Sequence, residues 1–299
     1  MSATKESTVE RVVDPVTAAG LAGLLGATDL DLRTGAPLPP LWHWATLARW
    51  PAPATLGPDG HPRRGTGIMP DVGLPRRMFG GGTLTFHAPI PVGAEVTVTS
   101  RAAEPRKRDG RTGPLVLVDV TVQVHDGTGT LLLEEIQNIV YTSARTEPAP
   151  IEPTPAALTE NLLGPLRSTV DGGARGDLRT DPLHLARFSA FTANPHRIHI
   201  DWPYATRVEG YPGLAVHGPL MAMALAETAR RAGVPAPGTL RHRGLAPLFC
   251  GERAELVLRP GADRVLEVVS PATAGEGPRV HARLEFDPAP STARPHRPS

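Results

Sequence analysis

Residues 115–126 read LVLVDVTVQVHD, and every second residue from Val116 to Val124 is valine. Asp119, Thr121, Gln123 and His125 fill the alternate positions. A period of two is a strand with one buried face, because a helix would scatter those valines around its circumference. Gly127 and Gly129 supply a turn, and residues 131–141 return as a second run, which predicts an antiparallel hairpin. Runs at 83–88 and 94–100 precede it, and runs at 253–259, 265–270 and 279–286 repeat the theme. One stretch breaks the period. Residues 220–226 are apolar nearly all round, within a helix expected from about His217 to Ala232, and a helix of that kind is a buried one.

The strand runs fall into two sets. Between them, prolines at 148, 150, 153 and 155 mark a linker. A short repeat links the sets: Ala88-Pro-Ile-Pro-Val-Gly93 and Ala246-Pro-Leu-Phe-Cys-Gly251 each precede a strand. The expected organisation is an N-terminal unit at 10–145, a linker at 146–160, a C-terminal unit at 161–286 and a disordered tail at 287–299, too poor in apolar surface to fold. In the first unit the helix would fall at 41–50, where LWHWATLARW is short and bounded by prolines, so that copy is degenerate and the active residues belong to the second unit. With 299 residues there is ample material for a core. A net charge of +1 implies no nucleic-acid partner, and a single cysteine excludes a disulfide framework. No run approaches the ~20 apolar residues that cross a bilayer, and the charged N-terminus lacks a signal peptide's apolar run. A soluble, cytoplasmic protein is expected.

Chemistry concentrates at 188–220, FSAFTANPHRIHIDWPYATRVEGYPGLAVHGPL. Asn194-Pro195 signals a turn that carries His196 and His199, Asp201 reads as a helix N-cap, and His217-Gly218 opens the apolar helix. Imidazoles at a helix N-terminus suit proton transfer near neutral pH. A metal site is not expected, since Cys250 is the only cysteine and no HExxH-type spacing is present. The spacing alone fits catalysis and a structural turn equally well. Arg76, Arg77, Arg241 and Arg243 sit beside glycine- or proline-rich turns, where a guanidinium could meet phosphates; each is by default a solvated surface arginine.

Residues 192–201 with Tyr204-Ala205 resemble the hydratase motif of MaoC-like enoyl-CoA hydratases and dehydratases, S-G-D-x-N-P-L-H-x-D-x-x-Y-A. GLAVHGPL resembles that family's second motif. The block 75–96, PRRMFGGGTLTFHAPIPVGAEV, together with N-P-H-R-I-H at 194–199, is similar to a two-domain branch of mesaconyl-CoA and itaconyl-CoA hydratases. The resemblance spans about 41–286.

The resemblance implies an α+β double hot-dog fold, two curved antiparallel sheets each wrapped on a helix, and a cofactor-free hydro-lyase acting on a short acyl-CoA or acyl-carrier thioester, with a homodimer as a possible assembly. The family's catalytic aspartate falls on Asn194, leaving His199 as the proton-transfer group, Asn194 to orient water or carbonyl, and the Gly218 N–H to polarise the thioester. His196, Arg197, His217 and Arg243 are the expected substrate contacts, with Arg197 the cation for a distal carboxylate. Two alternatives remain: a thioesterase, for which Glu227 is the only helix acid and lies too far along, and a non-catalytic thioester-binding subunit.

Overall fold

The computed structural model describes residues 5–63, 65–110, 113–143, 161–261, 264–272 and 277–288. The proline-rich linker lies outside them. The strands are β1 (Glu6–Val12), β2 (Arg76–Phe86), β3 (Glu95–Ala102), β4 (Arg106–Gly110), β5 (Gly113–Asp126) and β6 (Leu131–Thr142), then β7 (Arg167–Ser168), β8 (Ala174–Leu178), β9 (Pro237–Gly244), β10 (Ala254–Leu258), β11 (Arg264–Ser270) and β12 (Arg279–Pro288). The helices are α1 (Pro15–Leu25), α2 (His43–Thr46), α3 (Pro182–Phe191), α4 (Trp202–Arg207) and α5 (Gly218–Arg231).

The strands form one antiparallel sheet in the order β1-β3-β5-β6-β2-β9-β12-β11-β10-β8-β7, with β4 beside β5. Its centre is the β2–β9 pair, in which Thr83 faces Arg241. Outward from that pair the two halves mirror each other, and the short repeats begin five residues after Thr83 and Arg241 respectively. The GGG at 80–82 lies at this join. Gly81, at φ 147°, would drive a β-carbon to 2.4 Å from the His242 carbonyl oxygen, so only glycine lets β9 pair this closely.

The valine-rich hairpin is β5–β6, with Val116, Val118, Val120 and Val124 buried as the alternation requires. In α5 every residue from Leu220 to Leu225 is buried, and strands β2, β10, β11 and β12 contact it. Burying each such leucine contributes about 1.5–3 kcal/mol. The segment 41–50 yields only the single turn α2. Two helices had not been anticipated. Asp14 caps α1 and Asp181 caps α3, each followed by proline at the first helical position, and each helix follows an outer strand. The expected tail begins too early at 287: Asp287 lies within β12, pairs in register with Thr239 and forms an ion pair with Arg241.

Candidate active site

The turn after α3 is built by local hydrogen bonds. Asn194 N–H donates to the Ser189 carbonyl at 2.9 Å, and the Asn194 side-chain oxygen accepts from the His196 N–H at 3.1 Å. Ala193 is held at φ 48°, a left-handed conformation that is strained for a residue with a β-carbon. With Oδ1 committed to the turn, the free end of Asn194 is its Nδ2 amide, a donor only, which has no partner among the described residues.

His199 ends a 3-10 turn, Arg197–His199, and its Nδ1 lies 2.7 Å from the Ala215 carbonyl oxygen. A carbonyl only accepts, so Nδ1 carries the hydrogen and Nε2 keeps its lone pair. Burial lowers the His199 pKa to about 4, opposed by the Ala215 hydrogen bond. His217 stacks on it with ring centroids 3.7 Å apart and is hydrogen-bonded to the Ser189 hydroxyl at 2.8 Å. His217 is fully buried behind His199 and does not line the cavity, so the structure makes it a support for the imidazole rather than a substrate contact.

A cavity of about 690 Å³ is lined by Asn194, His196, His199, Gly218 and Pro219 from the second half, and by His61, Arg77, Phe79 and Ile139 from the first. It shares several of these walls with an adjoining space of about 600 Å³, floored by Val120, Val122 and Val124 and lined by Trp44 and Glu135. The cavity wall thus draws on both halves, whereas the expected active residues come from the second half alone. The sheet join brings first-half side chains into the same cavity.

His61 and Asp59 are the residues that local reading of the sequence missed. The loop turning at Gly60 (φ 90°) lies against the histidine turn so closely that a β-carbon there would sit 2.0 Å from the Pro195 carbonyl oxygen. His61 packs on His196 with ring centroids 3.9 Å apart, and Asp59 accepts from His61 Nδ1 at 3.2 Å. The result is a row, His61–His196–His199–His217, whose middle pair is 5.4 Å apart. Burial lowers the pKa of His61, opposed by Asp59. Burial also lowers His196 and His217, reinforced by neighbouring imidazoles. All four rings are thus neutral at physiological pH. The available signal was loop length: an irregular stretch this long in a compact chain usually has a task.

Asp59, His61 and His196 also place one nitrogen or oxygen each within 4.8 Å of one another. Two of these groups come from the 57–61 loop, 137 and 135 residues before His196, beyond the reach of any motif of near neighbours in sequence. Asp59 and His61 are hydrogen-bonded to each other within this group, through His61 Nδ1.

Arg197 does not reach the cavity. Its guanidinium donates to Asp201 at 2.9 and 2.7 Å and to the Pro58 carbonyl at 3.0 Å, and lies 4.1 Å over the Tyr204 ring. It fastens the 57–61 loop to the histidine turn. Arg76 is paired with Glu209, and Arg241 with Asp287. Arg243 is exposed on β9, one residue before Gly244 of the cavity wall. Glu227 pairs with Arg230 and Arg231 and does not line the cavity, so the acid of α5 is not placed for a thioesterase reaction there. Burial pushes the Cys250 thiol up to about 12, so it is no nucleophile.

Comparison with known proteins places this geometry. The hydroxyacyl-thioester dehydratase type 2 family matches residues 41–250. The chain is 40% identical over 270 residues to the mesaconyl-C(4)-CoA hydratase of Chloroflexus aurantiacus, covering 88% of this chain and 90% of that protein. Among solved structures, HtdX of Mycobacterium tuberculosis superposes with a TM-score of 0.60 at 20% identity, covering 94% of this chain and 98% of that one. A second Mycobacterium tuberculosis protein, described as a double hotdog fold, gives 0.50 at 17% identity over 94% and 95% of the two chains. The fold and the family match together define a double hot-dog hydro-lyase acting on an acyl thioester. The chain belongs to the hydroxyacyl-thioester dehydratase type 2 family, and the resemblance read from its motifs holds.

Proposed function

We propose that the protein hydrates a short, branched dicarboxylic enoyl-CoA of the mesaconyl-C4 type, and dehydrates the product in reverse. What carries this reading is the relative at 40% identity across nearly the whole chain, a mesaconyl-C(4)-CoA hydratase. In the forward direction the free His199 Nε2 takes a proton from water, and the water oxygen bonds to the β-carbon. The double-bond pair shifts onto the thioester oxygen, which the Gly218 N–H at the N-terminus of α5 stabilises. The imidazolium then returns the proton to the α-carbon as the carbonyl re-forms, so no net proton is consumed. Asn194 Nδ2 donates to the attacking oxygen and fixes its position. His196 lines the cavity beside them. The thioester acidifies the α-carbon itself, so the reading needs no cofactor. It is compatible with a homodimer and with a carrier-bound acyl group.

Loss of enoyl-thioester absorbance, measured with mesaconyl-C4-CoA and crotonyl-CoA, tests the substrate. Mesaconyl-C4-CoA is expected to give the higher kcat/KM. Faster hydration of crotonyl-CoA would remove the dicarboxylic preference and keep the hydratase, and turnover of neither would remove both.

A further inference from the structure

Arg77 stands on β2 two residues before Phe79, so the two side chains leave the same face of the strand. It lines the cavity that holds His199 and Asn194, and equally the adjoining space floored by valines. Among the described residues its side chain makes no hydrogen bond or ion pair, whereas its neighbour Arg76 is spent on Glu209. Asp59, the acid near it, already accepts twice from His61. The Arg77 charge is close enough to His61, His196 and Asp59 to lower the pKa of all three. A partly buried guanidinium with five donors and no partner is costly to maintain, and its planar fork matches a carboxylate. With the thioester placed at Gly218 and the acyl chain in the valine-floored space, Arg77, which lines both spaces, would stand beside the acyl group.

We propose that Arg77 is the counter-ion for a carboxylate carried on the acyl group, and thereby the residue that selects dicarboxylic over monocarboxylic acyl thioesters. The inference rests on the substrate class proposed above, but it can be judged without turnover. Succinyl-CoA and butyryl-CoA share chain length and coenzyme and differ in the terminal carboxylate. Calorimetric Kd values for both are compared in the parent and in Arg77→Met, which keeps the apolar stem and removes the charge. The ratio of the two Kd values should shift by about 10² against succinyl-CoA, the loss typical of a charged hydrogen-bonded pair, and Arg77→Lys should recover part of it. An unchanged ratio overturns the proposal. So does an equal weakening of both esters, which would assign Arg77 to the coenzyme's phosphates. If the parent binds succinyl-CoA through Arg77 yet hydrates no dicarboxylic enoyl ester, the selectivity stands and the proposed reaction fails.

Discussion

With Ala215 locking His199 Nδ1 as the donor, Nε2 has one available role, that of acceptor. His199→Ala should lower turnover by at least ~10², the usual loss on removing a general acid–base group, while the thermal transition remains cooperative. Near-parental activity would end that assignment. At Asn194 the amide oxygen holds the His196 N–H, and the side chain lines the cavity with its Nδ2 end free. Asn194→Ala should therefore impair turnover and loosen the turn together. Asn194→Asp keeps the acceptor for His196 and turns the free end from donor to acceptor, so it should retain partial activity. If neither variant differs from the parent, the residue shapes the turn and nothing more.

Among the elements, those with internal periodicity were legible and those defined by distant contact were not. The β5–β6 hairpin follows from alternate valines, and α5 from an apolar run with no polar face, because each needs only its own residues to declare its burial. The start signals of α1 and α3, Asp14-Pro15 and Asp181-Pro182, are present in the sequence, but neither helix shows a polar stripe to mark its length. The 57–61 loop is different. Nothing within it says that it will dock 135 residues away against the Asn194 turn. Its docking rests on Gly60, which supplies both the positive φ and the missing β-carbon. Gly60→Ala should push the loop off Pro195, with His61 and Asp59 displaced from the histidine row. A loss of kcat without a large fall in Tm is expected, because the loop lies outside the main core. Unchanged kinetics would show that the loop is not needed by the site.

At the scale of the molecule, the two halves are tied together across more than the β2–β9 join. Arg231 of α5 donates to the carbonyls of Leu25 and Gly26, closing the C-terminus of α1, and Arg230 bridges Glu227 to Asp29. The cavity gathers imidazoles from both halves, so they are buried only in the assembled fold. His199 and His242 both have their pKa lowered to about 4 by burial, and His61, His196 and His217 are also lowered. In the unfolded chain each returns to about 6.5. Between those values the unfolded state binds more protons, so stability rises with pH through that window. It is complete above about pH 6.5 and is lost as pH falls toward about 4. Each such imidazole contributes a slope of about 1.4 kcal/mol per pH unit, and several act together. Carboxylates held low by partners, such as Asp31 at about 2, exert their effect at more acid pH and do not blur the window. Urea unfolding at pH 7, 6 and 5 should show a steep decline in stability. A flat profile over that range would mean that the histidine row is charged or open to solvent in the folded protein.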